Sequence, residues 1–120
     1  MVILDKQKRI LAATAIATTI AIPAEGLRQY AYYDPPGILT VCYGSTTNVE
    51  KNKKYSLEEC KDRLDKDMLD AIKQVEQCHP NLPTEMLAAF GDAVYNIGPT
   101  IACNSTASRL LAAGSFREAC

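Results

Sequence analysis

The chain contains no tryptophan and only one histidine, His79. Zinc sites want closely spaced Cys/His pairs. None of the five cysteines, Cys42, Cys60, Cys78, Cys103 and Cys120, sits in a CxxC pair. No metal site is therefore expected, and the carboxylate chemistry considered below needs no cofactor. An excess of positive charge is also lacking, with 13 basic residues against 14 acidic. Nucleic-acid binding normally shows as a basic patch or stripe, so it is not expected here. A long, strongly apolar run is missing as well. The stretch from Ile10 to Ala24 is interrupted by Thr14, Thr18 and Thr19. A stable transmembrane helix wants about 20 strongly apolar residues, so this one would anchor poorly. Neither low-complexity segments nor internal repeats occur.

What remains is a folded globular chain of 120 residues, 48% hydrophobic and 22% charged. That length suits one domain or two small lobes. Five cysteines are many for this length and point to a disulfide-permitting compartment. Their odd number leaves one thiol free, or its partner outside the chain. Residues 6–9 read Lys-Gln-Lys-Arg, and the apolar run follows directly. A basic start before an apolar stretch is the pattern of an export signal. The competing reading is a buried core helix.

Local patterns divide the rest. Residues 28–49 carry Tyr, Thr, Val and Ile around Pro35-Pro36-Gly37, which reads as short strands about a tight turn. A second turn is expected at 44–48. Ser56, with Glu59 three residues on, forms a capping box. Leu57, Cys60, Leu64, Met68, Ile72 and Val75 then recur at helical spacing. His79-Pro80 ends that helix, and His79 reads as a helix-end residue rather than a catalytic one. Pro83-Thr84-Glu85 opens another helix, with Met86, Leu87, Phe90, Val94 and Ile97 on its apolar positions; Gly98-Pro99 closes it. A third runs from about Ser105 to Ala113. Ser115-Phe116-Arg117-Glu118 repeats the capping-box pattern just before the last residue, Cys120. A one-turn helix cannot sustain itself in water, so a C-terminally truncated sequence is expected. Met86, Phe90, Leu110 and Leu111 should then be partly exposed.

Glycoside hydrolysis needs a protonated carboxyl group for the leaving oxygen and a second group to handle the sugar carbon or its water. The acid keeps its proton best beside apolar surface. Glu25 follows the most apolar segment of the chain, and Asp34 lies nine residues on, before Pro35-Pro36. Thr40 lies six residues further. A Glu and an Asp at that spacing prove nothing alone, since most carboxylates are surface solubilisers. Glu58, Glu59, Asp62, Asp65, Asp67, Asp70 and Glu76 read that way, on the polar helix face or near its start.

The whole arrangement is more specific. Glu25-Gly26, then Asp34, then Thr40-Val41-Cys42-Tyr43-Gly44 resembles the catalytic segment of the phage lysozyme (endolysin) family. The resemblance continues through 55–60, Ala89-Phe90, 94–98 and 103–106, so it covers nearly everything from Glu25 onward. It implies an α+β, mainly helical, lysozyme-like two-lobe fold: a small β-sheet in the N-terminal lobe and a helical C-terminal lobe. By the same resemblance Glu25 would be the general acid, with Asp34 and Thr40 holding the attacking water or stabilising charge on the sugar. The implied substrate is the β-1,4 bond between N-acetylmuramic acid and N-acetylglucosamine, and the implied partners are peptidoglycan glycan strands. Tyr95 and Asn96 are candidates for sugar binding; Asn96 could equally satisfy backbone near Gly98. Four cysteines allow three pairings, of which helix and loop positions, guided by the resemblance, suggest Cys42 with Cys60 and Cys78 with Cys103.

The N-terminus resembles the signal-arrest-release subgroup, whose mild helix first tethers the enzyme to the inner membrane and later leaves it. Signal cleavage near Ala24 would instead leave Glu25 at the N-terminus, an odd place for a catalytic acid. The expected organisation is an anchor-like helix over 1–24 and a lysozyme domain over 25–120. Within the latter lie a catalytic lobe (about 25–55), a linking helix (about 56–78) and a shortened helical lobe (about 83–120). The protein is expected to be an exported monomer, periplasmic or transiently tethered through residues 10–24. The family usually continues past Cys120 with a Trp, a Gly-Gly stretch and a basic helix, none of which is present. Two rival readings remain, an inactive peptidoglycan-binding fragment and a lytic transglycosylase.

Overall fold

The computed structural model describes residues 2–24, 26–103 and 105–119, the side chains of 2–4, 23, 24 and 116 excepted. Among them lie six helices and one antiparallel pair of strands. In chain order these are α1 (Val2–Ala24), β1 (Arg28–Tyr33), β2 (Leu39–Cys42), α2 (Leu57–Cys78), α3 (Thr84–Ile97), α4 (Thr100–Cys103), α5 (Thr106–Ala112) and α6 (Phe116–Ala119). The chain forms two compact units, Thr18–Asp67 and Met1–Ala17 with Met68–Cys120.

In the Thr18–Asp67 unit, β1 pairs with β2 in the register Arg28↔Cys42, Tyr32↔Thr40 and Tyr33↔Leu39, with an irregularity between Arg28 and Tyr32. Between these pairs three residues of β1, 29–31, therefore lie opposite the single Val41 of β2, and the extra ones bend the ribbon. The core is Val41, Cys42, Tyr55 and Cys60, with Tyr43 and Val49 packed against it. A disulfide joins Cys42 to Cys60. The start of α2 follows from its local chemistry. Ser56 Oγ accepts from Glu59 N at 3.0 Å, and Glu59 Oε1 accepts from Ser56 N at 3.1 Å. Two otherwise orphaned donors are thus satisfied reciprocally. Lys53 lies 2.9 Å from Glu59, and that bond, with the Ser56 amide, holds the Glu59 carboxyl below its ordinary range.

In the other unit, α2 buries Met68, Ala71, Ile72 and Val75, and α3 buries Leu87, Ala88, Phe90, Gly91 and Val94. The two helices approach closely where Gly91 faces Ile72: a Cβ at Gly91 would lie 2.1 Å from Ile72 Cδ1. Gly98, at φ 122°, ends α3 and donates to Val94 O. α4 was not expected from the sequence. Pro99 and Gly98 start it, through Ala102 N donating to Pro99 O and Ile101 N to Gly98 O. Ser105 caps α5 by accepting from Ser108 N at 3.0 Å. A second disulfide joins Cys78 to Cys103.

Two expectations need correction. Glu76 is not a surface solubiliser; it is 4% exposed and paired with Arg9 of α1, both carboxylate oxygens meeting one guanidinium nitrogen. Phe90 and Leu111 are buried rather than partly exposed, at 5% and 3%. Phe90 lies on the same side of α3 as Leu87 and Val94, the buried side. α1 is also arranged against habit. Its buried positions are mostly small residues, Ala13, Thr14, Ala17, Thr18 and Ala21, while Leu11, Ile16 and Ile20 face outward. His79 does stand at the end of α2, and it is buried. Its Nε2 lies 3.0 Å from Ala102 O and 2.7 Å from Ser108 Oγ. A carbonyl only accepts, so Nε2 carries a proton there.

Candidate active site

Glu25, the expected acid, lies outside the described residues. In sequence it falls between α1, which ends at Ala24, and β1, which starts at Arg28.

Asp34 and Thr40 each bond to the main chain of Ile38, at the end of the turn between the strands. Asp34 N donates to Ile38 O at 3.0 Å, and Gly37 N donates to Asp34 O at 2.8 Å. Ile38 N in turn donates to Asp34 Oδ1 at 2.7 Å. Pro35 supplies a φ suited to the first corner of the turn, and Gly37 takes φ 91° on the way out. Thr40 Oγ1 then donates to Ile38 O at 2.9 Å. The main chain of one residue, Ile38, therefore holds both candidate groups. Asp34 spends one carboxylate oxygen on the Ile38 amide and keeps Oδ2 out of that bond. Thr40 spends its proton on the Ile38 carbonyl, so its hydroxyl oxygen can act only as an acceptor toward a ligand. Asp34 is half-buried and Thr40 buried. A water donating one proton to a carboxylate oxygen and one to a hydroxyl oxygen has its lone pairs free for attack. That is the chemistry such a pair supports.

Beyond Thr40 the strand turns sharply. Cys42 takes φ 64° and Gly44 φ 103°, while Val41 and Ser45 exchange two backbone bonds of 2.9 Å. Arg63 of α2 closes this turn from outside. Its Nη1 donates to Ser45 Oγ at 3.0 Å and Thr47 O at 2.6 Å. Its Nη2 donates to Asn48 O at 2.9 Å and lies 3.4 Å from the Tyr55 hydroxyl. Nothing in the sequence singled Arg63 out, because two of its partners are main-chain carbonyls.

Tyr95 and Asn96 lie on α3, in the other unit. Tyr95 is half-buried and Asn96 exposed. Asn96 Nδ2 turns back along its own helix, to Asp92 O at 3.0 Å and Asp92 Oδ1 at 3.1 Å. Burial raises the Asp92 carboxyl above its ordinary range, and the Asn96 bond opposes that only in part. Among the described residues no group of three or more His, Cys, Asp and Glu side chains could hold a metal ion.

The family model described as Phage lysozyme matches residues 23–120. An SAR-endolysin of Bacteriophage PS119 is 35% identical over 98 residues, which are 80% of this chain and 59% of that protein. An SAR-endolysin of Pseudomonas phage phiKMV is 33% identical over 116 residues, 91% of this chain and 68% of its own length. Among solved structures, the muramidase domain of SpmX from Asticaccaulis excentricus superposes with a TM-score of 0.79 at 26% identity. That match covers 87% of this chain and 71% of the other. The chain thus spans 59% of the length of the PS119 protein.

Proposed function

Because the chain belongs to the phage lysozyme family, we propose that it hydrolyses the β-1,4 bond between N-acetylmuramic acid and N-acetylglucosamine in peptidoglycan. Glu25 protonates the glycosidic oxygen as the bond to the sugar carbon breaks. Asp34 and Thr40 accept hydrogen bonds from a water that attacks that carbon, and the Asp34 carboxylate takes the proton the water gives up, or Asp34 offsets the carbon's developing positive charge. Carboxylates and water suffice for this chemistry.

The observation that carries the reading is the shared anchoring of Asp34 and Thr40 on Ile38, set beside a Glu nine residues before Asp34. That anchoring leaves acceptors, not donors, as the function of both groups. Acceptors suit a water nucleophile. Tyr95 and Asn96 are proposed to contact sugar hydroxyls.

The same reading makes the protein an exported one, working as a monomer on the periplasmic side. Two disulfides and relatives named SAR-endolysins support export. Among the described residues no helix is long and apolar enough to cross a membrane. A reversible tether through residues 10–24, followed by the lysozyme domain over 25–120, is accordingly proposed as a mild one. The outward Leu11, Ile16 and Ile20 are its apolar side.

The test is turbidity loss of outer-membrane-permeabilised Gram-negative cells, with the native chain and Glu25→Gln. Lysis that disappears in Glu25→Gln is the expected result. Lysis by both would remove Glu25 from the mechanism, and lysis by neither, from folded protein, would leave a binding fragment. Mass analysis of released muropeptides separates hydrolysis from transglycosylation, which leaves a 1,6-anhydro ring.

A further inference from the structure

We propose that Arg63 is a positioning residue for the reaction, acting on Thr40 through the turn at 41–45. This rests on the reading of Thr40 given above. Cys60 and Arg63 are three residues apart on α2 and so share a face. Each fastens a different point of the chain after Thr40. The disulfide from Cys60 holds Cys42, two residues beyond Thr40. A single covalent point fixes position but leaves the strand free to twist about it. Arg63 removes that freedom. Its planar fork reaches Ser45, Thr47, Asn48 and Tyr55 together, and its Cζ lies 4.8 Å from the Tyr55 ring centre.

The linkage to the site is short. Ser45 is bonded to Val41 in both directions, and Val41 follows Thr40 directly. Tyr55 extends the hold to the partner strand, since Tyr55 N donates to Gln29 O at 2.8 Å and Gln29 Nε2 donates to Tyr55 O at 3.0 Å. Its hydroxyl also accepts from Glu50 N at 2.9 Å. Both strands of the hairpin are thus referred to one guanidinium. Ser45 and Tyr55 are each 2% exposed, so few other partners could replace Arg63. A lysine keeps the charge but not the fork.

The experiment compares Arg63→Lys, Thr40→Ala and the double variant by amide exchange and by hydrolysis kinetics on soluble glycan chains. In Arg63→Lys the amides of Val41 and Ser45 should exchange at least about tenfold faster, with those of Met68 and Ile72 unchanged. kcat should fall on the order of 10- to 100-fold with KM little altered, the scale of a small misplacement of a reacting group. In the Thr40→Ala background, Arg63→Lys should cost almost nothing more, because both act on the same step. Unchanged exchange at Val41 and Ser45, a loss carried by KM, or losses that multiply would each overturn the inference. An inactive native chain or a fully active Thr40→Ala brings down the reading of the site, and the inference with it; an impaired Thr40→Ala beside a normal Arg63→Lys brings down the inference alone. If Arg63→Lys does not fold, Ser45→Ala, which removes one contact without touching charge, is judged by the same readings.

Discussion

Replacing Gly91 with alanine should destabilise the protein, although alanine is the better helix former. Gly91 sits inside α3, where the exchange alone would gain about 1 kcal/mol. The added methyl, however, would lie 2.1 Å from Ile72 Cδ1 and 2.8 Å from Cγ1. Ile72 is fully buried, so it has no room to swing aside without displacing neighbours. Overpacking of this kind costs roughly 1–3 kcal/mol, and contact with two atoms of an immobile side chain places it toward the upper end. The backbone offers little relief, since Ile72 Cα would be at 3.4 Å. The net expectation is a loss of about 1–2 kcal/mol, after the propensity gain is subtracted. Urea unfolding followed by far-ultraviolet circular dichroism measures it, with a melting temperature lower by roughly 5–10 °C. A second substitution sharpens the test. Ile72→Val removes Cδ1 and alone should cost about 0.5–1.5 kcal/mol; in the Gly91→Ala background it should cost less, or stabilise. A Gly91→Ala protein as stable as the native chain would refute the reasoning.

Three further outcomes follow from other contacts. Arg9→Met leaves Glu76 buried without its partner and should cost about 3 kcal/mol, while Arg9→Met with Glu76→Leu should recover most of that in the same unfolding assay. Limited dithiothreitol treatment followed by alkylation and peptide mass mapping should open Cys78–Cys103 first, because Cys103 is exposed whereas Cys42 and Cys60 are both 0% exposed. Asp92 has a carboxyl raised by burial, so its stabilising contribution is present when it is protonated and is lost as pH rises through the folded value. Asp92→Asn should therefore raise the melting temperature at neutral pH, with the gain vanishing in acid.

Which features could be read before the fold was known depended on how far their causes reach along the chain. The start of α2 needs only Ser56 and Glu59, three residues apart, and the sequence carries that signal whole. The stop at Gly98-Pro99 and the turn at Pro35-Pro36-Gly37 are equally local. The carboxylates were separable only where a neighbour in sequence decided their fate: Glu59, half-buried, bonds at the helix start as the capping box requires, but Glu76 meets a partner 67 residues away. α4 has four residues, too few for any periodicity to register. Burial along α1 could not be read for another reason. Hydropathy alone would rank Leu11 and Ile20 as core residues, whereas the buried positions include Ala13, Ala17 and Ala21. At the candidate site the spacing of Glu25, Asp34 and Thr40 was legible through family resemblance. The anchoring of Asp34 and Thr40 was not, since backbone groups of Ile38 create it and backbone groups are the same in every residue.

Ile38 separates two kinds of constraint that usually coincide. Its side chain is 50% exposed, so selection has little reason to hold its identity. Its amide and carbonyl hold Asp34 and Thr40 in place. Drift at this position should therefore be wide in size, charge and polarity and yet closed to proline, which has no amide hydrogen. An inventory of invariant side chains would pass over the residue that fixes the geometry between the candidate catalytic groups.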